Sequence, residues 1–454
     1  MLFTTNWLTK IFSNYKGLTE NNIKINAIST DSRMKSEQTL FIPLIGDTFD
    51  GHHYLKAAIK NGAVATLWDE QKEIPDFLPH DFPIFFVKDT IVALQELAFK
   101  YRQKVNPIVV GITGSNGKTT TKDLVGTILQ TSYTTHITKG NFNNHIGLPL
   151  TILSMPTNTE VLVLEMGMNH FGEISRLSKI AEPDYAIITN IGESHIEFLG
   201  SRFGITKAKL EIEDGLKQNG CLILDGDEEL LQEQVQFANV LRCGLKREND
   251  IQIKNVQLKE NGTSFSINDV IYHIPLLGVH HAKNASYAIT LGKQLGIEEA
   301  KIKESIKYIA MTSMRFERIE GINGVSIIND AYNASPTSMK ASIEVLKQMD
   351  DFHKKILVLG DMFELGDDSE QWHRSIADVI NQEIHAVFTI GDMASVITEE
   401  INKRTNDVIC EHIHTPESLI KQLQPFLQKD TIVLFKASRG MKLETYIDKL
   451  IPRS

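Results

Sequence analysis

The sequence predicts an α/β protein of three domains. Three observations carry this. The chain has 454 residues, more than one hydrophobic core ordinarily organises. Short apolar runs alternate with helical stretches along most of it. Three blocks also differ in texture: residues 1–86, 87–312 and 313–454. A small α/β domain, a central doubly wound sheet and a second open α/β sheet follow in that order.

The first block mixes short strands and helices and ends in "PIFFVKDT". A helix, "IVALQELAFKYRQKV", leads out of it. In the second block "PIVVGIT", "VLVLEMG", "YAIITNI" and "GCLILDG" are apolar runs closed by Gly, Asn or an acid. Runs of that length bounded by turn residues read as buried parallel strands joined by right-handed crossovers. Near "DIQIKNVQLKENGTSFSINDVIYHIP" the pattern changes to alternation around Asn261-Gly262, which predicts an antiparallel hairpin at the sheet edge. The third block repeats the βα rhythm in "GVSIIND", "KKILVLGD", "HAVFTIGD" and "DTIVLFKAS". Ligands of open α/β sheets sit at the carboxyl ends of the strands, so the residues just after each run are the ones to inspect.

Composition narrows the function. A net charge of -10 leaves no basic surplus for general nucleic-acid binding. The three cysteines, Cys221, Cys243 and Cys410, are scattered and form no CxxC pair, which suits a reducing compartment rather than a disulfide or zinc framework. The opening "MLFTTNWLTKIFSNYKG" makes a poor signal peptide, and no run of 18 apolar residues occurs. A cytoplasmic protein without a membrane span is the expectation.

The first chemical motif is "VVGITGSNGKTTTKDL", residues 109–124. A glycine-rich turn between strand and helix offers free N–H groups and a positive dipole end to an anion. Lys118 would neutralise phosphate charge, and Thr119 would place a hydroxyl on Mg²⁺. The usual template wants glycine six residues before the lysine; here Ile112 stands there, and the glycines fall at 111, 114 and 117. The bland alternative is a turn beside a solvated lysine. Glu165 ends the strand "VLVLE" and reads either as a second metal anchor or as a carboxylate capping a turn. His195 follows another strand end, where a structural histidine is the commoner outcome. Lys207 and Lys209, two apart on a helix, cannot share a face, and from charge alone both would be solvated. The acids Asp361, Glu364, Asp367, Asp368 and Glu370 read partly as a helix start, Asp367 with Glu370 fitting a capping box. They are assigned no chemistry.

With these residues in view, the whole chain resembles the Mur ligases, the ATP-dependent amino-acid and peptide ligases of peptidoglycan synthesis. "GITGSNGKTTTK" is similar to that family's phosphate loop, whose first glycine sits one residue early. "KGNFNNHIGLPLTIL", "EMGMNHFGEI", "MRFERIEGINGVSIINDAYNASPTSM", "LGDMFELGDDSEQWH" and "KASRGMK" resemble its dipeptide-adding branch, and "STDSRMKSEQTLFIPLIGDTFDGHHY" its uridine-nucleotide domain. The resemblance implies a central domain like a phosphate-loop ATPase and a Rossmann-like C-terminal domain that closes over ATP and binds the dipeptide.

It also implies roles. Thr113, Gly114, Ser115, Asn116, Gly117, Lys118, Thr119 and Thr120 would hold ATP, joined by Asn284, Arg315, Asp330, Tyr332 and Asn333. Thr119, Glu165 and His195 would hold Mg²⁺, and Lys209 would be a carbamylated lysine supporting a second ion. Lys118, Lys209, His195, Glu165 and Arg315 form the catalytic set. Asn143 and Asn144 would face the sugar-peptide substrate; Ser32, Arg33, Gly46, Asp47, Phe49, Asp50, Gly51 and His52 would face its uridine end, although Asp31-Ser32-Arg33 alone reads equally as a turn with a surface arginine. His281 stands where the family often has Asn. The implied reaction joins D-alanyl-D-alanine to UDP-MurNAc-tripeptide through an acyl phosphate, in a monomer. The alternatives are a relative adding the third amino acid, a folylpolyglutamate synthetase, or a nucleotide switch that makes no product.

Overall fold

The computed structural model describes residues 1–19, 21–259, 262–309, 312–404 and 407–452. It is α/β throughout, with a separate main sheet in each third of the chain. Among the described residues no helix is long and apolar enough to cross a membrane.

The N-terminal sheet has five strands in the order Tyr15–Lys16, Ile84–Val87, Ala63–Asp69, Thr39–Phe41, Ala27–Ser29, parallel except for Tyr15–Lys16. Helix Thr90–Val105 leads out of it. Asp89 caps its start by accepting from Ile91 N (2.7 Å) and Val92 N (3.0 Å), and Asn106 ends it in a left-handed conformation. Leu94, Leu97, Ala98 and Tyr101 on this helix belong to one continuous core with Leu40 and Phe85 before it and Leu148 and Leu164 after it. The apolar stripe of one helix therefore joins the first two sheets.

The central sheet has nine strands. Ile108–Thr113 lies between Tyr185–Ile188 and Val161–Glu165, all parallel, with Thr135–Ile137 at one edge. On the other side come Cys221–Asp225, Val240–Gly244 and Ile251–Lys259, also parallel. Beyond these the edge is antiparallel, as predicted, but it contains two hairpins rather than one. The Asn261 half of the expected turn lies outside the described residues. The second turn is Asn268-Asp269, with both residues left-handed (φ 48° and 62°), the pairing that a two-residue type I′ loop requires.

The C-terminal sheet has six strands in the order Glu317–Glu320, Ser326–Asn329, Thr431–Lys436, Lys354–Gly360, Ala386–Ile390, Ile409–Ile413. The four apolar runs form its interior. Glu317–Glu320 and Ile409–Ile413 are added edges whose half-exposed, polar composition hid them in the sequence. The capping box expected at Asp367 and Glu370 is absent. A 3₁₀ turn, Gly366–Asp368, precedes helix Ser369–Arg374, so Asp368 occupies the N-cap without a side-chain bond. Glu370 instead pairs with Arg374 (2.7 Å).

Candidate active site

The carboxyl ends of the central strands face those of the C-terminal sheet across a cleft of about 700 Å³. The phosphate loop forms one wall. Gly114 has φ 143°, and a Cβ built there would lie 1.9 Å from Thr189 Oγ1. Gly117 has φ 79°, and its Cβ would lie 2.7 Å from Asn284 Oδ1. Both positions therefore require glycine, and Asn284 is buried against the loop. Thr113 Oγ1 donates to Met166 O (2.9 Å) below the loop. Asn116 N donates to Asn190 Oδ1 (2.8 Å), and Thr189 Oγ1 donates to Asn116 O (2.6 Å), which fixes the curve of the turn. Ser115 and Thr120 also line the cleft. Lys118 Nζ donates to Gly114 O (2.7 Å), and burial lowers its pKa to about 8, with Glu165 opposing and Arg315 adding to the shift.

A chain of contacts then crosses the cleft. Arg315 Nη2 donates to Thr119 Oγ1 (3.4 Å), Thr119 Oγ1 to Glu165 Oε2 (3.0 Å), and Asn143 Nδ2 to Glu165 Oε1 (2.8 Å). Glu165 N donates to Thr138 Oγ1 (3.0 Å). The turn-cap alternative for Glu165 is thus not what its side chain does: both carboxylate oxygens face the cleft's own polar groups. Asn144 is occupied locally, accepting from Ile146 N and Gly147 N at the start of helix Gly147–Leu153.

His195 has φ 65°, and its Nδ1 lies 2.5 Å from Glu364 Oε2 of the C-terminal sheet's loop, itself at φ 61°. Contact with His195 holds the Glu364 carboxyl below its usual range. Among the described residues no group of three or more His, Cys, Asp or Glu gathers as a metal cluster. Thr119 and Glu165 are in contact, whereas His195 lines the same cleft with a different partner. A hydroxyl beside a carboxylate is the hard-oxygen pair that suits Mg²⁺, and His195–Glu364 forms a second, separate donor pair. The two lysines that charge alone left equivalent divide sharply. Lys207 is exposed; Lys209 is buried on helix Arg202–Leu210, and burial, with Lys118 nearby, holds its amine well below the ammonium range.

From the C-terminal side, Tyr332 lies under the Arg315 guanidinium (4.0 Å to the ring centre). Asp330 takes Lys436 Nζ (2.5 Å), Ser342 Oγ (2.7 Å) and Phe316 N (3.2 Å). Asn333 contributes its carbonyl to Lys436 (3.3 Å). His281 is buried with Nδ1 unpartnered, its ring centre 4.1 Å from that of His280. Burial lowers both imidazoles, His280 to about 4.

None of the eight N-terminal candidates lines the cleft. Arg33 is exposed and held by Asp31 (2.8 Å), with Ser32 between them. Asp47 and Phe49 are exposed, and Phe49 packs over Gly46. Asp50 accepts from His52 N (2.9 Å) and Lys72 (2.8 Å), and Gly51 N bonds Leu44 O (2.8 Å). His52 is turned inward, bonded to Asp50 and set edge-on to Trp68, so its visible work is to fold the loop.

Asn190, Glu193 and Lys436 lie outside the expected site residues, and Glu364, named above only in an acidic cluster without chemistry, also belongs to the site. Glu193 accepts from Thr337 Oγ1 (2.8 Å) and Thr337 N (3.2 Å) at the start of helix Pro336–Lys347, and Asn116 meets Ser335 beside it (3.3 Å). Asn190 and Lys436 each follow or end an apolar strand, so the strand-end rule would have found them; Glu193 and Glu364 carry no local signal.

Three family models match the chain: the Mur ligase family catalytic domain over residues 24–105, the Mur ligase middle domain over 112–292, and the Mur ligase glutamate ligase domain over 314–439. A UDP-N-acetylmuramoyl-tripeptide–D-alanyl-D-alanine ligase of Bacillus subtilis is 46% identical, over 94% of this chain and 93% of that protein. The ligase of the same name from Escherichia coli is 32% identical, over 94% of each. Among solved structures, MurF from Acinetobacter baumannii superposes with a TM-score of 0.87 at 29% identity, over 99% of this chain and 98% of that one. MurF ligase from Thermotoga maritima in complex with ADP gives 0.82 at 29% identity, over 93% and 96%.

Proposed function

The chain belongs to the Mur ligase family, and from that membership we propose how its site works. The protein is an ATP-dependent peptide ligase of peptidoglycan precursor synthesis that joins D-alanyl-D-alanine to UDP-N-acetylmuramoyl-tripeptide. The observation that carries the mechanism is the unbroken contact chain Arg315–Thr119–Glu165–Asn143, which runs from the C-terminal domain through the phosphate loop to the sugar-peptide side. The separate sheets of the three parts of the chain support domain boundaries near 86 and 312.

A carboxylate is a poor acyl donor because its leaving group would be oxide. The tripeptide carboxylate attacks the γ-phosphorus of ATP in line; the bond to the ADP oxygen breaks, and an acyl phosphate forms. Lys118, Arg315 and the loop N–H groups spread the charge of that transition state. Mg²⁺, held at Thr119 and Glu165 with a second ion at His195, would supply further charge neutralisation at the phosphate oxygens. Lys209, carbamylated, would exchange its cation for an anion, the charge that would support a second ion. The dipeptide amine then attacks the acyl carbon, and phosphate leaves.

A smaller cavity of about 320 Å³, lined by Ser194, His195, Phe363, Glu364 and Arg439, opens between the domains and suits the dipeptide: it offers a carboxylate and a guanidinium to a zwitterion. The N-terminal loops, remote from the ATP cleft, remain the candidate uridine end. ATP and a uridine nucleotide are cytoplasmic metabolites, which supports a cytoplasmic site of action. The test is phosphate release from ATP with each substrate omitted in turn. Release should require both UDP-MurNAc-tripeptide and D-alanyl-D-alanine; release indifferent to both would overturn the ligase reading.

A further inference from the structure

The helix that follows the phosphate loop, Lys118–Leu129, holds the linker to the C-terminal domain at two points on one face. Thr119, in its first turn, meets Arg315. Asp123, one turn later, accepts from both Thr312 N (3.2 Å) and Thr312 Oγ1 (2.9 Å) with its Oδ2. Positions four apart lie above one another on a helix, so the spacing along the helix is matched to the spacing along the linker. Asp123 is 8% exposed, and its other oxygen takes the buried Lys122 ammonium (2.6 Å). The carboxylate is thereby fixed rather than free to swing.

The linker on either side of Arg315 is strained. Met314 and Phe316, the two neighbours of Arg315, are both left-handed (φ 63° and 54°). Non-glycine residues persist there only where surrounding contacts over-determine them. Those contacts are present: Glu317 takes Met314 N (2.8 Å), and Asp330 takes Phe316 N (3.2 Å). None of the three carboxylates touches the Arg315 guanidinium. They act on the backbone that aims it.

We propose that Asp123 and Thr312 are positioning residues: by pinning the linker to the phosphate-loop helix they set where Arg315 stands over the transferred phosphate. The proposal rests on the reading of Arg315 as the cation that reaches the phosphates. It predicts an effect on kcat rather than on ATP capture, because the loop that binds ATP is untouched.

The test is a double-mutant cycle with Thr312→Val, Thr312→Ser and Arg315→Ala, measured as kcat, KM for ATP and thermal midpoint. Thr312→Val should lower kcat roughly tenfold with KM for ATP changed by less than about twofold. Thr312→Ser should keep activity, since the hydroxyl remains. In the Arg315→Ala background Thr312→Val should cost nothing more. Asp123→Asn, which retains an acceptor, serves as a milder probe at the other end of the bond and should show a smaller kcat loss. An equal proportional loss in both backgrounds, or a loss that tracks the thermal midpoint, overturns the proposal and leaves a purely structural contact. Normal turnover by Thr312→Val while Arg315→Ala is impaired overturns this proposal alone; normal turnover by Arg315→Ala overturns the reading beneath it as well.

Discussion

Gly114 is the residue whose replacement the site tolerates least. Its φ of 143° is closed to other side chains, and a Cβ would meet Thr189 Oγ1, which itself holds Asn116 O. Gly114→Ala is therefore expected to cost about 1–3 kcal/mol of stability. It should also weaken nucleotide binding, because Thr189 would have to release the loop. Thermal unfolding and a nucleotide titration check both; an unchanged midpoint and affinity would refute the account. At this scale the sequence was legible where chemistry is local. Lys118, Thr119 and Glu165 stand where a strand ends or a helix begins, and their residue types say what they can do. Lys207 and Lys209 were not separable by charge, because burial of one of them is decided by what packs on helix Arg202–Leu210. Glu364, Glu193 and Asp123 were opaque for a different reason: each finds its partner more than a hundred positions away.

The elements themselves were the more legible scale. Apolar runs bounded by turn residues became strands, and the edge did turn antiparallel. What failed were elements defined by their neighbours: the second hairpin at Asn268-Asp269, the two polar edge strands, and the capping box displaced by a 3₁₀ turn. Helix Ser369–Arg374 supplies a prediction at this scale. Its His373 is buried, accepts from Met362 N at Nε2 (2.9 Å) and uses Nδ1 at Ser369 O (2.7 Å), so it supports the loop that carries Glu364. Burial lowers its pKa from 6.5. An unfolded chain protonates this imidazole near 6.5 while the folded one resists, so the unfolded state binds more protons and stability falls as pH drops through 6.5. The thermal midpoint should fall more steeply between about pH 7 and pH 5.5 in the wild type than in His373→Gln, which cannot titrate. Parallel curves would show that His373 contributes nothing to the acid limb.

At the scale of the whole molecule, the reaction is divided between two bodies. The phosphate loop, Glu165 and Lys209 belong to the central sheet; Arg315, Tyr332 and Asp330 arrive from the other side. Pattern reading named both sets, yet their meeting depends on contacts such as Glu193–Thr337 and Asn116–Ser335 that no run of residues encodes. This division separates capture of ATP from its use. Arg315→Ala should leave nucleotide affinity nearly unchanged while lowering kcat by about 10²–10³-fold. Equilibrium binding of ADP beside steady-state turnover distinguishes the two, and a parallel loss in both would mean that Arg315 serves binding instead.

The order of strands in the C-terminal sheet has a consequence for biosynthesis. Thr431–Lys436 follows the other five strands of that sheet in sequence but is inserted at its middle, between Ser326–Asn329 and Lys354–Gly360. Lys436 then pairs with Asp330 beside the ATP cleft. During translation the first two sheets can be complete while this gap stays open, with Asp330 lacking its cation and the strands flanking the gap presenting unpaired edges. A nascent chain can thus own a finished phosphate loop long before it owns the wall that closes over it. Catalysis waits on the strand of that sheet that leaves the ribosome after all its neighbours.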